Sequence, residues 1–364
     1  MSKRLMALVA VVSVTVLGTA CSSDKKKTDS SSSTTSAAAA TSAAATTSSA
    51  AETSSSAAAE TSSPAAVTSS SAAETTSAPA GEPAKIAFIT KFPVSFFTAM
   101  DDAAKKADEA DDSVAVDYFT CKTPTDFACQ IGQIEDAVTK KYKAIVITPM
   151  GPEVRPAMKK AAAAGVKVML ADNNDSEFPE KTGAFATDNA VGGQKAGAYI
   201  KTLLKSGDSI GLMEGVHGNP NLDARIKGVQ DALKGTGVKV VVAGGETGCD
   251  AAKGATVAED LLTKNPNLTA IYSACDDPAI AAAKLVKTKG KKIMVIGFDG
   301  LPDAAKLIQS GDMQATIAQF PGTMAKLAVE AASKAIKGEK VESFNDTGSE
   351  VVTKENAAKF LNFQ

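Results

Sequence analysis

Four places in the chain carry polar or charged side chains directly after a short apolar run. The residues there are Lys91, Asp172 with Asn173, Cys275 with Asp276, and Asp299. An acidic residue that ends a buried strand is costly unless it meets a polar partner, so these positions are the first candidates for a ligand site. Paired carboxylates also cleave glycosidic bonds in enzymes, which makes a hydrolase one alternative.

The elements that must position these residues follow a regular alternation of short apolar runs and helical patterns. Predicted strands form two series, 85–90, 114–119, 144–148, 166–172 and 183–187, then 209–214, 238–243, 270–274, 292–299 and 315–319. This alternation is typical of βαβ units, so we predict an α/β fold with two doubly wound parallel-sheet lobes. Ligands of such sheets bind beyond the carboxyl ends of the strands, where the four candidate positions lie.

The amino-terminal segment has the pattern of an export signal. Lys3 and Arg4 precede an uncharged run, and Cys21 follows the small residues 18–20. A basic start, a short apolar middle and small residues at the cleavage point are typical of a secretory signal peptide, and the cysteine resembles the lipobox of bacterial lipoproteins. We expect residues 1–20 to be a lipoprotein signal peptide and Cys21 a lipid anchor on the bacterial cell membrane. A plain secretory signal is the alternative, because Gly18 stands where a lipobox usually has leucine.

Residues 21–83 are almost entirely Ser, Thr and Ala. They lack the large apolar side chains that would offset chain entropy, so we predict a disordered linker. A flexible coil of about 60 residues reaches roughly 45 Å. The anchored domain would then move freely above the membrane.

Composition excludes several classes of function. The chain has 364 residues, a formal net charge of −2, no Trp and one His. Without a basic stripe carrying interleaved aromatics, no nucleic-acid partner is expected. No phosphate-binding glycine loop and no nucleophile elbow occur, so neither a nucleotide cofactor nor Ser/His hydrolysis is expected.

Several motifs in a fixed order resemble one family. They are KIAFIT followed by Ser95-Phe96-Phe97, VKVMLAD, TDNAVGG, residues 223–228, VIGFDG and ATIAQFP. Together they resemble the ribose-binding-like group of type 1 periplasmic binding proteins, which serve ABC importers, from about Lys85 to the end. The resemblance implies a monomeric, extracytoplasmic solute-binding protein without enzymatic activity or cofactor, which delivers a small neutral polyol or monosaccharide to the ABC permease membrane subunits.

The same resemblance implies a division of the folded part into two lobes. The chain would cross between them near Thr187, Gln319 and Gly348. The amino-terminal lobe would then comprise 84–187 and 320–348, and the carboxy-terminal lobe 188–319 and 349–364. Closure of the lobes over a small ligand would shift the population toward the closed form.

Binding residues carry over from the family position by position. Phe96 and Phe97 match an aromatic pair that packs on the apolar face of a sugar. Asp172 and Asp299 match carboxylates from opposite lobes, and Gln319 matches a hinge amide. These five residues are therefore predicted to contact the ligand.

Departures from the family pattern bear on specificity. Asn173 and Asp223, which we also expect to contact the ligand, stand where relatives have Arg, although Arg225 follows two residues later. A pocket without both guanidinium groups and with an added carboxylate is richer in acceptors, which favours an acyclic polyol, then a pentose or other aldose, and disfavours an acidic sugar such as a uronate. Lys91 either enters the pocket or is a solvated surface lysine.

Four cysteines besides Cys21 permit three pairings. Cys121 and Cys129 flank one short connection, while the resemblance puts Cys249 and Cys275 at positions that touch ligand in relatives. We therefore expect disulfides Cys121–Cys129 and Cys249–Cys275. Zinc is the alternative, but only one histidine is available, so no metal is expected.

Three other functions share parts of this pattern. A sensor lipoprotein would have the same pocket but present the closed form to a signalling partner. The effector domain of a LacI-type repressor would carry an amino-terminal helix-turn-helix in place of the export signal. A glycosidase would need Asp172, Asp223 and Asp299 to act as paired carboxylates.

Overall fold

The computed structural model describes residues 82–363. The predicted signal peptide, Cys21 and residues 21–81 of the predicted linker therefore lie outside the described residues. Within 82–363, every helix is too short or too polar to cross a membrane. Two six-stranded sheets with flanking helices make up this part of the chain.

The first sheet is entirely parallel. Its strands are β1 (Ala84–Ile89), β2 (Val114–Phe119), β3 (Ala144–Ile147), β4 (Lys167–Ala171), β5 (Gly183–Ala186) and β11 (Asn345–Asp346), in the order β11-β5-β4-β3-β1-β2. Its helices are α1 (Ser95–Asp108), α2 (Phe127–Thr139), α3 (Arg155–Ala163) and α9 (Pro321–Ile336), with a 3-10 turn at Pro152–Val154. We call this sheet and its helices the first lobe.

Both faces of the first sheet are covered, which explains the continuous apolar runs of its strands. Ile86 and Phe88 pack in one cluster with residues of α1 and α9. Ala87 and Ile89 pack in another cluster with residues of α2 and α3. Alternate residues of β1 thus enter separate cores on opposite sides of the sheet.

The second lobe repeats this plan. Its strands are β6 (Ser209–Met213), β7 (Lys239–Val242), β8 (Ala270–Ser273), β9 (Met294–Asp299), β10 (Ala315–Ala318) and β12 (Glu350–Val352), in the order β12-β10-β9-β8-β6-β7. Only β12 runs antiparallel to its neighbour. Its helices are α4 (Asn189–Leu203), α5 (Pro220–Leu233), α6 (Ala251–Lys264), α7 (Asp276–Thr288) and α8 (Pro302–Ser310), with a 3-10 turn at Ala357–Phe360.

The chain passes between the two sheets after β5, after β10 and between β11 and β12. Two of these passages are joined directly, because Oδ1 of Asp346 accepts hydrogen bonds from the amides of Asp188 and Gly348, each at 2.9 Å. All three follow the carboxyl end of a strand, so the carboxyl edges of both sheets meet there. The predicted fold class, two doubly wound α/β lobes, is confirmed.

Candidate ligand-binding site

In the first lobe, Asp172 is held by a lysine that follows β1, the second strand along the sheet from β4. Asp172 follows β4 with a positive φ of 66°, and Lys91 follows β1. Nζ of Lys91 donates to Oδ2 of Asp172 at 2.9 Å and to Oδ1 of Asn173 at 2.5 Å. The side chains of Lys91 and Asp172 are only 16% and 12% exposed. Lys91 is therefore not a solvated surface residue.

The aromatic residues beside this ion pair have different environments. Phe97 is buried, and its ring centroid lies 5.5 Å from those of Phe92 and Phe96. Nζ of Lys91 lies 5.3 Å from the Phe97 ring. Phe96 is half-buried, and its ring meets that of Phe363 edge-on at 6.0 Å. Phe96 thus keeps more accessible ring surface than Phe97, which packs mainly in the core.

In the second lobe, Asp299 ends β9 with an unusual φ of 136°. Its Oδ1 accepts from Nη1 of Arg225 at 3.0 Å and from Nε2 of Gln319 at 2.8 Å. Its Oδ2 accepts from the amide of Asp276 at 3.2 Å. Since a carboxylate oxygen accepts about two hydrogen bonds, Oδ2 is the atom of Asp299 that keeps a free lone pair.

Arg225 is positioned by the close packing of α4 and α5. A Cβ at Gly193 would lie 2.7 Å from the carbonyl oxygen of Ala224, so only glycine permits this approach. The guanidinium donates from Nε to Oδ1 of Asn189 at 2.8 Å and stacks 3.9 Å from the Phe298 ring centroid. These contacts give the glycines of the TDNAVGG motif a packing role.

The sequence predicted a pocket without either of the two family guanidinium groups, and for α5 this prediction is wrong. Arg225 is 5% exposed and bound to Asp299, whereas Asp223 lies exposed in the first turn of α5. Residues two apart in a helix lie on different faces. Only one of Asp223 and Arg225 can therefore point to Asp299. The structure does not bring Asp223 to the other predicted site residues.

The site has a balanced charge rather than an excess of acceptors. Lys91 pairs with Asp172 and Arg225 pairs with Asp299. Burial raises the pKa of Asp299, while the Arg225 guanidinium acts in the opposite direction. The pKa of the Asp276 carboxyl is also raised, first by burial and then by the neighbouring Asp299.

Three buried polar atoms of residues that directly follow strands have no partner among the described residues. They are Oε1 of Gln319, which is 4% exposed, Oγ1 of Thr148, which is 1% exposed, and Oγ1 of Thr347. Buried polar atoms without hydrogen bonds are costly, so each is a candidate for a ligand contact. Sequence reasoning did not single out Thr148, although its place directly after β3 matches that of the other candidates.

The four cysteines of the folded part lie in two close pairs. Cys121 stands beside Cys129 with their Cα atoms 6.0 Å apart, and Cys249 beside Cys275 at 5.5 Å. Both Cα separations lie in the range of disulfides. Within residues 82–363, no cluster of three or more His, Cys, Asp or Glu side chains is arranged to hold a metal ion.

A cavity of about 300 Å³ opens beside Asn173. Its wall comes from loops and helix starts of both lobes, including Arg155, Asn174, Asn219 and Asn221. Asn173, which accepts a hydrogen bond from Lys91, is the one predicted binding residue in this wall, and the wall includes neither Asp172 nor Asp299.

Carboxylates, cations and aromatic rings at the meeting edges of two doubly wound lobes define a two-lobed solute-binding protein. The sequence profile of the periplasmic binding protein domain matches residues 86–340. The ribose import binding protein of Escherichia coli K12 is 31% identical over 262 residues, which are 71% of this chain and 87% of that protein. The D-allose-binding periplasmic protein of the same organism is 35% identical over 256 residues, with 66% and 82% coverage.

Solved structures agree with this assignment. An ABC transporter solute-binding protein from Mycobacterium smegmatis, with bound glycerol, has a TM-score of 0.70 and 29% identity over 78% of this chain and 98% of that one. A solute-binding protein from Burkholderia graminis, in complex with D-arabinose, has a TM-score of 0.69 and 30% identity, with 76% and 97% coverage. The chain belongs to the type 1 periplasmic binding proteins. The prediction of an extracytoplasmic solute-binding protein of an ABC importer, and not an enzyme, is confirmed.

Proposed function

We propose that this protein captures a neutral monosaccharide or small polyol between its two lobes and delivers it to the membrane subunits of an ABC permease. The observation that carries the proposal is the pair of carboxylates at the meeting sheet edges, Asp172 and Asp299, each held by a cation and each with lone pairs left for ligand hydroxyls. The ribose, D-allose, glycerol and D-arabinose named for the relatives and neighbours are all neutral and rich in hydroxyls.

Recognition of the ligand uses groups from both lobes. Oδ1 of Asp172 and Oδ2 of Asp299 accept ligand hydroxyls, and Oε1 of Gln319 accepts another. The ring of Phe96 covers an apolar face of the sugar, and Asn173 lies at its outer end. This arrangement is supported by the partners of each carboxylate and by the unpaired amide oxygen of Gln319.

The presence of two cations changes the preferred ligand. Lys91 and Arg225 supply N–H donors, and the ring oxygen of a cyclic sugar can accept a hydrogen bond from them. An acyclic polyol has no ring oxygen, so it uses these donors less well. We therefore favour a cyclic aldose over a polyol, the reverse of the order that the sequence alone favoured.

Capture requires the lobes to move about the three passages near Thr187, Gln319 and Gly348. We propose 84–187 with 320–348 and 188–319 with 349–364 as the moving bodies. Each passage is a short segment at the end of a strand, which is where hinge rotations are usually absorbed. The protein acts as a monomer in this scheme.

We further propose that residues 1–20 direct export, that Cys21 carries the lipid, and that residues 21–83 link the anchor to the folded part. A Cys21→Ser variant tests the anchor. It should move from the membrane fraction to the soluble extracytoplasmic fraction, and an unchanged membrane fraction would contradict lipid attachment at this cysteine.

A thermal-shift screen tests the binding proposal. The probes are D-ribose, D-allose, D-arabinose, glycerol, myo-inositol and D-glucuronate, added to the chain from residue 22 with its cysteines oxidised. A ligand at 100 times its Kd stabilises the folded state by about 2.7 kcal/mol, so a true ligand gives a concentration-dependent rise in Tm. The shift should be much smaller in Asp172→Asn and in Asp299→Asn at the same ligand concentration but unchanged in Asp223→Ala. A screen in which no neutral probe raises Tm would refute the proposal.

A further inference from the structure

Asp276 is a fully buried acidic residue that lies directly behind Asp299. It is 0% exposed, so it cannot touch a ligand. Oγ1 of Thr316 donates to its Oδ1 at 2.7 Å, and the amide of Leu301 donates to its Oδ2 at 2.8 Å. Its own amide donates to Oδ2 of Asp299 at 3.2 Å. Asp276 thus joins β10, the turn after β9 and the ligand-facing carboxylate.

Space for this carboxyl group is left by a glycine in the neighbouring strand. A Cβ at Gly297 would collide with Oδ1 of Asp276. Gly297 lies two residues before Asp299 in β9. The strand that carries the binding carboxylate is therefore shaped around the side chain of Asp276.

The turn that follows β9 needs support from outside. Asp299 and Gly300 both have positive φ, 136° and 77°, and a non-glycine residue keeps such a conformation only where its surroundings impose it. Leu301, the N-cap residue of α8, has no side chain that caps the helix. The carboxylate of Asp276 accepts the Leu301 amide instead, so a residue of α7 holds the turn and the start of α8 together.

From these contacts we propose that Asp276 is a positioning residue for sugar binding: it locks the 299–301 turn so that Oδ2 of Asp299 faces the ligand. The inference deepens the proposed function, since it rests on Asp299 as a ligand-binding residue. Oδ1 of Asp299 is already occupied by Arg225 and Gln319. A small rotation of the turn would break these bonds and misdirect the one free acceptor.

The amide variant separates position from charge. In Asp276→Asn, Oδ1 can still accept from the Leu301 amide, and Nδ2 can donate to Thr316, whose hydroxyl accepts as well as donates. The turn should therefore stay in place. Asp276→Ala removes both acceptors, and Gly297→Ala displaces the carboxyl group without altering it, so both variants should release the turn.

Two measurements on the chain from residue 22 test the proposal. Crystal structures of the ligand-free variants should show Asp299 more than 1 Å from its place beside Arg225 in Asp276→Ala and Gly297→Ala, and unmoved in Asp276→Asn. Calorimetry with D-allose and D-ribose should show at least tenfold weaker binding in the first two variants and a change under threefold in the third. Asp277→Ala, an exposed neighbour in α7, is the matched control and should change neither result.

The outcomes distinguish this inference from the proposed function. If the wild type binds neither sugar, calorimetry uses the neutral probe with the largest rise in Tm. If no neutral probe raises Tm, the proposed ligand class is wrong, and the position of Asp299 in the crystal structures alone decides the role of Asp276. If Asp299 stays beside Arg225 in Asp276→Ala, the positioning role is wrong whatever the affinities. Should Asp276→Ala fail to fold, Thr316→Val, which keeps the side-chain volume and removes one donor, takes its place in both measurements.

Discussion

Nη1 of Arg225 donates to Oδ1 of Asp299 over 3.0 Å, and their side chains are only 6% and 19% exposed. The pair joins α5 to the end of β9 at the edge where the two lobes meet. Each partner of a buried ion pair depends on the other, because removal of one leaves an uncompensated charge away from water. We therefore expect Arg225, rather than Asp223, to be the residue of α5 that acts in ligand binding.

Replacement of Arg225 should therefore damage both stability and binding. Arg225→Ala should lower the free energy of unfolding by about 3 to 5 kcal/mol and abolish the thermal shift with D-allose. Arg225→Lys should also bind poorly, since one ammonium cannot reproduce the bonds of a planar guanidinium to Asn189 and Asp299. Urea denaturation and calorimetry measure both effects. Asp223→Ala, on the exposed face of the same helix, should stay within about 0.5 kcal/mol of wild type; an equal loss there would contradict the assignment.

Removal of the Asp172 carboxylate should change the charge preference of the site. In Asp172→Asn, Lys91 loses its anionic partner and becomes available to an acidic ligand. We expect D-allose to bind at least tenfold more weakly, while the affinity ratio of D-glucuronate to D-allose rises. Calorimetry with both sugars measures this ratio. The double variant Lys91→Met with Asp172→Asn should lose the gain for D-glucuronate, and a gain that persists without Lys91 would refute this explanation.

The contact between Phe96 and Phe363 should contribute to binding. Phe360, three residues before Phe363, is buried in the second-lobe core. Phe96 lies in the first turn of α1, a helix of the first lobe. The contact between Phe96 and Phe363 therefore spans the two lobes. Edge-to-face aromatic pairs contribute about 0.5 to 1.5 kcal/mol, so Phe363→Ala should weaken D-allose binding by about two- to tenfold. Phe344→Ala removes an exposed phenylalanine and is the control. Equal affinities of both variants and wild type would show that the contact is irrelevant to capture.

Asp101 should make stability depend on pH. Burial raises the pKa of this half-buried carboxyl from 3.8 to about 6, and one of its oxygens has no partner in the described part of the chain. The folded state therefore binds the proton more tightly than the unfolded state, and the free energy of unfolding falls as pH rises from about 4 to 6. Asp101→Asn should be about 1 kcal/mol more stable than wild type at pH 7, after allowance for solvent screening.

That difference should disappear below pH 4, where the carboxyl is protonated in both states. Denaturant unfolding at several pH values measures it. Asp102→Asn changes the adjacent, exposed carboxyl and should show a smaller effect at pH 7. A constant difference between Asp101→Asn and wild type across this pH range would contradict the role of Asp101.

The cysteine pairs should be oxidised in the exported protein. Mass spectrometry of the denatured chain should find the thiols of Cys121, Cys129, Cys249 and Cys275 only after reduction. By the loop-entropy relation, closures over 8 and 26 residues stabilise the fold by about 2.5 and 3.5 kcal/mol. Replacing Cys249 and Cys275 by Ser should also weaken D-allose binding, because Cys275 adjoins Asp276, whereas replacing Cys121 and Cys129 should lower stability alone. Four free thiols before reduction would refute the pairing.

The sequence alone was sufficient for ten of the twelve strands within residues 82–363 and for the fold class. The bounds of the ten predicted strands lie within two residues of those of β1 to β10. A strand that is buried on both faces has a continuous apolar run, and such a run can be recognised from the local sequence. The short strands β11 and β12 were not predicted as strands, since two or three residues are too few to show a pattern. Candidate residues at strand ends, such as Asp172 and Asp299, could be named because their place relative to a strand is also a local property.

Only the tertiary structure decided which side chains meet. Lys91 and Asp172 are 81 residues apart in the chain, and Arg225 and Asp299 are 74 apart. Such pairs depend on the order of strands in a sheet and on the rotation of a helix about its axis, and neither is encoded in the spacing of residues along the sequence. The charge balance of the site, on which the proposed preference for a cyclic sugar rests, follows from these long-range contacts.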